Sequence, residues 1–360
     1  TIIGVMGTSV EENITFVKIA EHFLRKALPV PEVYGMSDDQ QFYIQQDLGD
    51  NILFKMTEKG RTCGSFNEDE REMLRKTMAK LPSLQFLGAD GLDFSICYPQ
   101  PEFDERMISF DQNYFKYCFL KATGLDFSEV KLEEDFKKMS DVLMRNTSST
   151  FLYRDFQARN VMLVDGEPYF IDFQGGRKGP IYYDVASFIW QAKANYSEQL
   201  KRELIDTYIE SLKRYIPVDR DYFYSQLRHF VLFRTLQVLG AYGFRGWTEH
   251  KANFVVSIPQ AVKALRELMA GESCGDFTSV KDICPYLCEV LEKMAEDKFT
   301  TTVREISRPI LSFPEEEPVA NIWERFLEKK EHISAVLDEY GSLRGIVTME
   351  DVIETMLGQE

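Results

Sequence analysis

The sequence predicts an α+β protein: a small mixed lobe, a large helical lobe and a separate small β-α-β-β-α unit. Three observations carry this. Residues 1–50 alternate as strand, helix, strand, strand. From about Asn67 the apolar spacing is mainly helical. Near residue 300 both composition and pattern change. Strands and helices segregated along one chain give an α+β arrangement.

Composition bounds the answer. A chain of 360 residues with 44% hydrophobic and 28% charged side chains is an ordinary globular balance, with room for one large domain or two to three smaller ones. The net charge is −16 and the isoelectric point about 4.9. An acidic surface repels phosphate backbones and anionic headgroups, so neither nucleic acid nor membrane is an expected partner. No run approaches the roughly 18–20 apolar residues that a membrane helix needs. The most apolar helical stretch, Phe230 to Gly243, is interrupted by Arg234 and Gln237. The opening Thr1-Ile2-Ile3-Gly4-Val5-Met6 has no signal-peptide pattern and no initiator Met, and reads as a strand already in progress inside a domain. Cys63, Cys97, Cys118, Cys274, Cys284 and Cys288 are scattered. Free thiols in a reducing cytoplasm are the expectation. Cys284 and Cys288 are spaced i, i+4 like half of a metal site, but no second Cys/His pair accompanies them.

The elements follow in order. Glu11 to Lys26 has helical spacing through Phe16, Ile19, Ala20, Phe23 and Leu24, and Pro29 and Pro31 stop it. Val33 to Gly35 and Gln41 to Gln45 read as strands around Asp38-Asp39. Leu48-Gly49-Asp50 breaks the pattern. Helices are expected over 67–87, 104–122 and 131–146. Strands Val161–Val164 and Pro168–Ile171 then flank an Asp165-Gly166 hairpin turn. Further helices are expected over 181–194, 197–214, 219–243, 248–269 and 280–297. Residues 300–360 carry 13 acidic and 6 basic side chains, −7 of the total −16. They read as strand Ile310–Phe313, helix Pro318–Lys330, strands Ile333–Leu337 and Leu343–Val347 around Glu339-Tyr340-Gly341, and helix Met349–Leu357.

One constellation carries chemistry. In Tyr153-Arg154-Asp155-Phe156-Gln157-Ala158-Arg159-Asn160 an aspartate and an asparagine lie five residues apart on a loop. The hairpin follows, and Asp172 stands at its exit. Phosphoryl transfer needs one carboxylate to orient the acceptor hydroxyl and take its proton. It also needs an amide oxygen and a second carboxylate to hold Mg²⁺. Taken singly these residues would be a helix cap, a turn and a solvated strand end. Their joint spacing matches a kinase catalytic loop. Arg154, Arg159, Arg177 and Lys178 crowd the same cleft and read equally as ligands of phosphate or of the acceptor, or as salt-bridge partners. Arg228, Arg234 and Arg245 share a helix with Phe230, Phe233, Leu236 and Leu239, a stripe that reads mostly as core. Gly240 and Gly243 there suggest a close helix contact or a helix end.

These residues, with Ile171-Asp172-Phe173-Gln174 and Gly179-Pro180-Ile181-Tyr182-Tyr183-Asp184, resemble the aminoglycoside phosphotransferase-like family. Within it the pattern is similar to the anomeric kinases of N-acetylmuramate and N-acetylglucosamine, as is Leu236-Gln237-Val238-Leu239-Gly240-Ala241-Tyr242. The resemblance covers roughly residues 1–270. It implies a protein-kinase-like two-lobe phosphotransferase fold with a truncated N-lobe, using ATP and Mg²⁺. Carried over, Asp155 is the catalytic base, Asn160 and Asp172 hold Mg²⁺, and Asp184 braces the loop. Gln45, Gln46, Asp47 and Leu48 match the hinge whose backbone meets adenine. Two features depart from the family. The phosphate-covering loop that opens the family's small lobe precedes the point where this chain starts, which predicts weak ATP binding or no activity. The strand Ile2 to Met6 also has no lysine for the α/β-phosphates, and Lys18 on the next helix reads as solvated.

His332 to Gly341 followed by Gly345 to Asp351 resembles the CBS motif of hemolysin-like magnesium and cobalt efflux proteins. In that family two motifs pair and bind adenine nucleotides between them, with Thr348 and Asp351 at the phosphate and ribose positions. A single motif predicts a homodimer. The expected organisation is a partial nucleotide lobe over 1–50, a catalytic and substrate lobe over 51–275, a helical linker over 276–299 and one CBS motif over 300–360. The expected function is an ATP- and Mg²⁺-dependent kinase for a hydroxyl of a small polar metabolite, with an amino sugar phosphorylated at its anomeric position as the leading acceptor. The alternative is a non-catalytic nucleotide sensor.

Overall fold

The computed structural model describes residues 1–7, 9–191, 193–271, 278–296, 310–329, 331–339 and 341–357. Strands β1 (Ile2–Met6), β2 (Val33–Met36) and β3 (Phe42–Gln46) form an antiparallel sheet in the order β1-β3-β2, with Ile2 opposite Gln46. Turn chemistry closes the β2–β3 hairpin. The Ser37 hydroxyl donates to the Asp39 carboxylate at 2.6 Å, and that carboxylate accepts from the Gln41 N–H at 3.1 Å. Helix α1 (Val10–Arg25) starts at Ser9, whose hydroxyl accepts from the Glu12 N–H at 3.3 Å. Asn13 pins this helix to the hairpin by donating to the Gln40 and Gln41 carbonyls at 2.9 and 3.1 Å. Phe16, Ile19, Ala20 and Phe23 are buried and Lys18 is exposed, as the spacing predicts.

The next helices are α2 (Glu68–Phe86), α3 (Glu105–Phe115) and α4 (Glu129–Arg145). A capping box starts α2, with Asn67 accepting from Glu70 N–H while Glu70 accepts from Asn67 N–H. Then come β4 (Thr150–Leu152), β5 (Val161–Val164), β6 (Glu167–Phe170) and β7 (Arg177–Gly179). β5 and β6 form the predicted hairpin, with Asp165 at φ 51° and Gly166 at φ 78° in its turn. β4 pairs antiparallel with β7. The sequence reading lacked this pair, because strands of three residues have almost no periodicity to read. Helices α5 (Ile181–Ile189), α6 (Glu198–Leu212), α7 (Arg220–Gly243), α8 (Ile258–Met269) and α9 (Pro285–Glu296) complete the lobe.

Three expected helices are interrupted. The 104–122 helix passes at Lys116 into a π-helical turn. The 248–269 helix is instead a π-helical turn Phe244–Thr248, a short helix Ala252–Val255 and α8. The 280–297 helix breaks into Thr278–Ile283 and α9, where Pro285 has no N–H to continue the ladder. The chain divides into two compact units, Thr1–Asp297 and Lys298–Glu360. Much of the stretch read as a linker packs within the first. The Asp135 carboxylate accepts from Leu287 N–H at 2.9 Å, and Arg266 Nε donates to the Ala295 carbonyl at 3.0 Å. Burial pushes the Cys284 and Cys288 thiols up to about 12. Cys274, Tyr340 and the expected helix ends at Asp297 and Lys330 lie outside the described residues.

In the second unit β8 (Leu311–Pro314) runs parallel to β9 (Ile333–Leu337), which pairs antiparallel with β10 (Leu343–Thr348). Helices α10 (Val319–Lys329) and α11 (Met349–Leu357) supply Ile322, Phe326 and Val352 to a core around Phe313. Ile333, Leu343, Ile346, Ile353 and Met356 remain exposed.

The two glycines late in α7 mark close packing. A Cβ on Gly240 would lie 2.9 Å from the Phe115 backbone nitrogen, and one on Gly243 would lie 2.0 Å from the Cys118 carbonyl oxygen. Alanine for glycine within a helix ordinarily stabilises by about 1 kcal/mol. Here backbone must move to admit the methyl group. Gly243→Ala is therefore expected to destabilise by about 1–3 kcal/mol, measured by urea unfolding, with a smaller loss for Gly240→Ala.

Candidate active site

The loop after β4 is shaped by one buried carboxylate. Asp184, in the first turn of α5, is 0% exposed and accepts from the Tyr153 and Arg154 N–H groups at 2.8 and 2.9 Å. Burial pushes its carboxyl up to about 7, against these donors, Gln85 and Arg234, which pull it down. The backbone at Arg154 turns left-handed, with φ 75°. Its guanidinium grips buried Asp111 of α3 with two hydrogen bonds of 3.1 Å. Burial opposes the Arg154 charge, but Tyr183 and Asp111 hold its pKa above the usual arginine value. The next side chain, Asp155, is thereby presented part-exposed to the cleft.

The hairpin brings the two expected metal ligands to one place. Ile171 N–H donates to the Asn160 carbonyl at 3.1 Å across its open end, one residue before Asp172. Asn160 is buried, and its amide nitrogen donates to the Asp155 carbonyl at 2.8 Å and lies 3.4 Å from the Asp155 carboxylate. With the nitrogen so engaged, the amide oxygen is the atom available to a cation. Asp172 is exposed at φ 65°, and its carboxylate accepts from the Gln174 amide at 2.8 Å. A carboxylate and an amide oxygen are hard ligands suited to Mg²⁺. Phe173 anchors this segment, fully buried and stacked on Phe16 of α1 with ring centroids 4.7 Å apart. Phe16 stacks in turn on Tyr43 of β3 at 5.0 Å, joining the sheet to the loop.

The expected hinge starts in the last two residues of β3 and continues beyond it. Gln46 N–H donates to the Glu32 carbonyl at 2.8 Å, and the Asp47 carboxylate closes a turn by accepting from Gly49 N–H at 2.9 Å, with Leu48 between. The buried side-chain oxygen of Gln45 has no hydrogen-bond partner among the described residues. An orphaned acceptor at this position is consistent with a ligand group capable of donating to it.

The cationic side chains have separate fates. Arg159, 59% exposed, pairs with Asp155 at 2.5 Å, and Lys178 pairs with Glu102 at 3.4 Å. Arg177 is buried and donates to the Gly175 carbonyl, and burial followed by the charge of Arg154 pulls its pKa down to about 10. It lies outside the cavity linings that contain Asp155 and Arg159. Arg234 corrects the expectation of plain core packing. Its neighbours Phe230, Phe233, Leu236 and Leu239 are core, but its guanidinium bonds Ser187 and Gln237 and lies 3.8 Å from the Asp155 carboxylate. The available signal was a charge interrupting an apolar helix face. A cavity of about 250 Å³ opens at Asp155 between Tyr183, Arg234, Tyr242, Arg245 and Phe254. A second, of about 280 Å³, shares Arg159, Arg234, Tyr242 and Phe254 with it and extends to Trp190 and Lys193.

In the second unit Thr348 and Asp351 bind each other. Thr348 N–H and hydroxyl both donate to the Asp351 carboxylate at 2.7 Å, and Asp351 N–H returns to the hydroxyl at 3.3 Å. This is a capping box for α11.

Comparison with known proteins finds relatives for both units. A profile described as the phosphotransferase enzyme family matches residues 8–221, and a CBS domain profile matches residues 303–358. An N-acetylmuramate/N-acetylglucosamine kinase of Neisseria meningitidis is 25% identical over 66% of this chain and 70% of its own length. A magnesium and cobalt efflux protein CorC of Buchnera aphidicola is 31% identical over 23% of this chain and 26% of its own length. A GDP complex of a mutant type IIIa aminoglycoside 2'-phosphotransferase superposes with a TM-score of 0.51 at 14% identity, covering 73% of this chain and 84% of that one. The protein-kinase-like fold is thus established, with a CBS domain at the C-terminal end. Among the described residues no helix is long and apolar enough to cross a membrane.

Asp184 gives a signed pH prediction. Its folded pKa of about 7 lies above its ordinary value of 3.8, so the native state holds the proton more tightly than the unfolded one. Stability from this group is fully present below about pH 4 and falls as pH rises towards 7, by about 1.4 kcal/mol per unit. Asp184→Asn, which cannot titrate, is expected to flatten that slope. Denaturant midpoints of the two proteins from pH 4 to 8 measure the difference.

Proposed function

This chain belongs to the phosphotransferase enzyme family, and on that premise we propose that it is a small-molecule kinase that phosphorylates an amino sugar at its anomeric hydroxyl. The observation that carries the reading is the convergence of Asp155, Asn160 and Asp172 at the two ends of one short hairpin. Asp155 orients the acceptor hydroxyl and takes its proton while the acceptor oxygen bonds to the γ-phosphorus of ATP. The bond from that phosphorus to the bridging oxygen breaks, and ADP leaves. Asn160 and Asp172 would hold Mg²⁺, which would neutralise phosphate charge when bound. Gln45, Gln46, Asp47 and Leu48 receive the adenine. Arg159 is exposed enough to exchange Asp155 for incoming phosphate. The amino-sugar acceptor is supported by the Neisseria relative.

The remaining expectations belong to the same proposal. The exposed apolar side chains of β9, β10 and α11 favour a second copy of the CBS unit as partner, giving a homodimer. The free thiols favour the cytoplasm. Family membership favours turnover over the non-catalytic sensor.

Coupled ADP release on N-acetylated sugars, aminoglycosides and choline tests the reading. Turnover is expected with an N-acetylated sugar, and Asp155→Ala is expected to reduce it about 10²- to 10⁴-fold. The proposal fails if no acceptor supports ADP release above the level of that variant. Asp172→Ala is expected to raise the Mg²⁺ concentration needed for half-maximal rate about tenfold or more in a magnesium titration.

A further inference from the structure

A separate cavity of about 410 Å³ opens between α6 and α7. It is larger than either cavity near Asp155 and shares one residue with them, Trp190. None of Asp155, Asn160 and Asp172 lines it. Its volume falls within the roughly 300–1,000 Å³ usual for small-molecule sites. Each helix turns one face to it. Glu198, Lys201, Arg202 and Ile205 lie at i, i+3, i+4 and i+7 on α6. Arg220, Tyr224 and Arg228 lie at i, i+4 and i+8 on α7. Trp190, which caps the end of α5, completes the wall.

The lining is basic in a chain of net charge −16. Lys201, Arg202, Arg220 and Arg228 stand against two carboxylates, Glu198 and Asp221. These cations differ in what already answers them. Lys201 pairs with Glu198 at 2.7 Å and lies 5.5 Å from the centroid of the Trp190 ring. Arg220 makes two 2.9 Å bonds to Asp206, outside the lining, and Asp221 adds its field to the same guanidinium. Arg202 is exposed and forms no ion pair with any described residue. Arg228 lines the same space from α7, half-buried. Asp221 stands about two turns before it, roughly 10 Å along the helix axis, which leaves an anion at Arg228 room to avoid that carboxylate.

We propose that this groove is a second ligand site, apart from the reaction centre, and that it takes a phosphate monoester. Arg202 and Arg228 bind the phosphate, one guanidinium from each helix. Such a group carries about −1.5 to −2 charge at neutral pH, and guanidinium is its preferred planar donor. Trp190, Ile205 and Tyr224 offer the organic part rings and an aliphatic floor. A cationic ligand would meet the unanswered charge of Arg202. A bare phosphate ion would leave most of the cavity, and both rings, unused. No residue of the proposed reaction enters this inference.

The test titrates the intact chain by calorimetry and tryptophan fluorescence. The probes are glucose 6-phosphate and AMP, their uncharged parents glucose and adenosine, and inorganic phosphate. At least one ester is expected to bind about tenfold or more tightly than its parent and than inorganic phosphate. Which ester does so distinguishes a sugar from a nucleoside as the organic part. Binding is expected to change the tryptophan emission, and Trp190→Phe to remove that change. Arg202→Gln is expected to weaken the ester about tenfold, and Arg202→Lys to keep part of the affinity. Circular dichroism checks that the variants fold. In Asp155→Ala the affinity is expected to stay as it was. Binding of neither ester overturns the inference. So does inorganic phosphate or a parent binding as tightly as the ester, an emission change that survives Trp190→Phe, or an affinity unmoved by Arg202→Gln. Loss of ester binding in Asp155→Ala also overturns it, by placing the ester in the reaction centre. The kinase reading stands or falls separately on ADP release, which none of these titrations measures.

Discussion

The carboxylate of Asp184 accepts two successive backbone N–H groups, those of Tyr153 and Arg154, in a fully buried setting. Successive peptides ordinarily point their N–H groups to opposite sides of a strand. Drawing both to one acceptor ends β4 and turns the chain at Arg154 into the left-handed region. That turn delivers Asp155 to the cleft and Arg154 to Asp111. The site therefore rests on a group that costs free energy to bury, and α5 is the rigid element that holds it there.

A second constraint is aromatic. Phe173 follows the expected metal carboxylate and is packed against Phe16, Phe23 and Tyr153. Phe16 also contacts Tyr43, so the N-terminal sheet and the segment after β6 share one ring stack. Such ring pairs favour offset or edge geometries over a broad range of distances, so the stack holds the lobes together without demanding a single register. The hydrogen bond from Ile171 N–H to the Asn160 carbonyl fixes the other side of the same segment.

Much of this was legible in the sequence, for physical reasons that differ by element. The hairpin was readable because Asp165-Gly166 supplies the two positive φ angles of its turn. α1 was readable because one face carries Phe16, Ile19, Ala20 and Phe23 at helical spacing. The β4–β7 pair was not, because each strand spans three residues and its partner is distant in the chain. The π-helical turn at Phe244 was not, because an inserted residue leaves no mark in the period of a short window. Arg234 was misjudged because its neighbours describe a core face, and only the packing of α7 against α5 turns its guanidinium to Asp155. Arg177 was placed at the cleft by proximity in sequence, whereas β7 turns it inward.

Arg154 has a consequence for how the protein can change. Its φ of 75° suits glycine, and its buried partner Asp111 needs a guanidinium. Replacement by glycine would relax the main chain and strand an unpaired carboxylate in the interior, while keeping arginine keeps the torsion. The two demands pull one position in opposite directions. Neither residue is free to drift alone, so a lineage can cross to another solution at 154 only by changing 111 in step, and the first change of either order passes through a weakened protein.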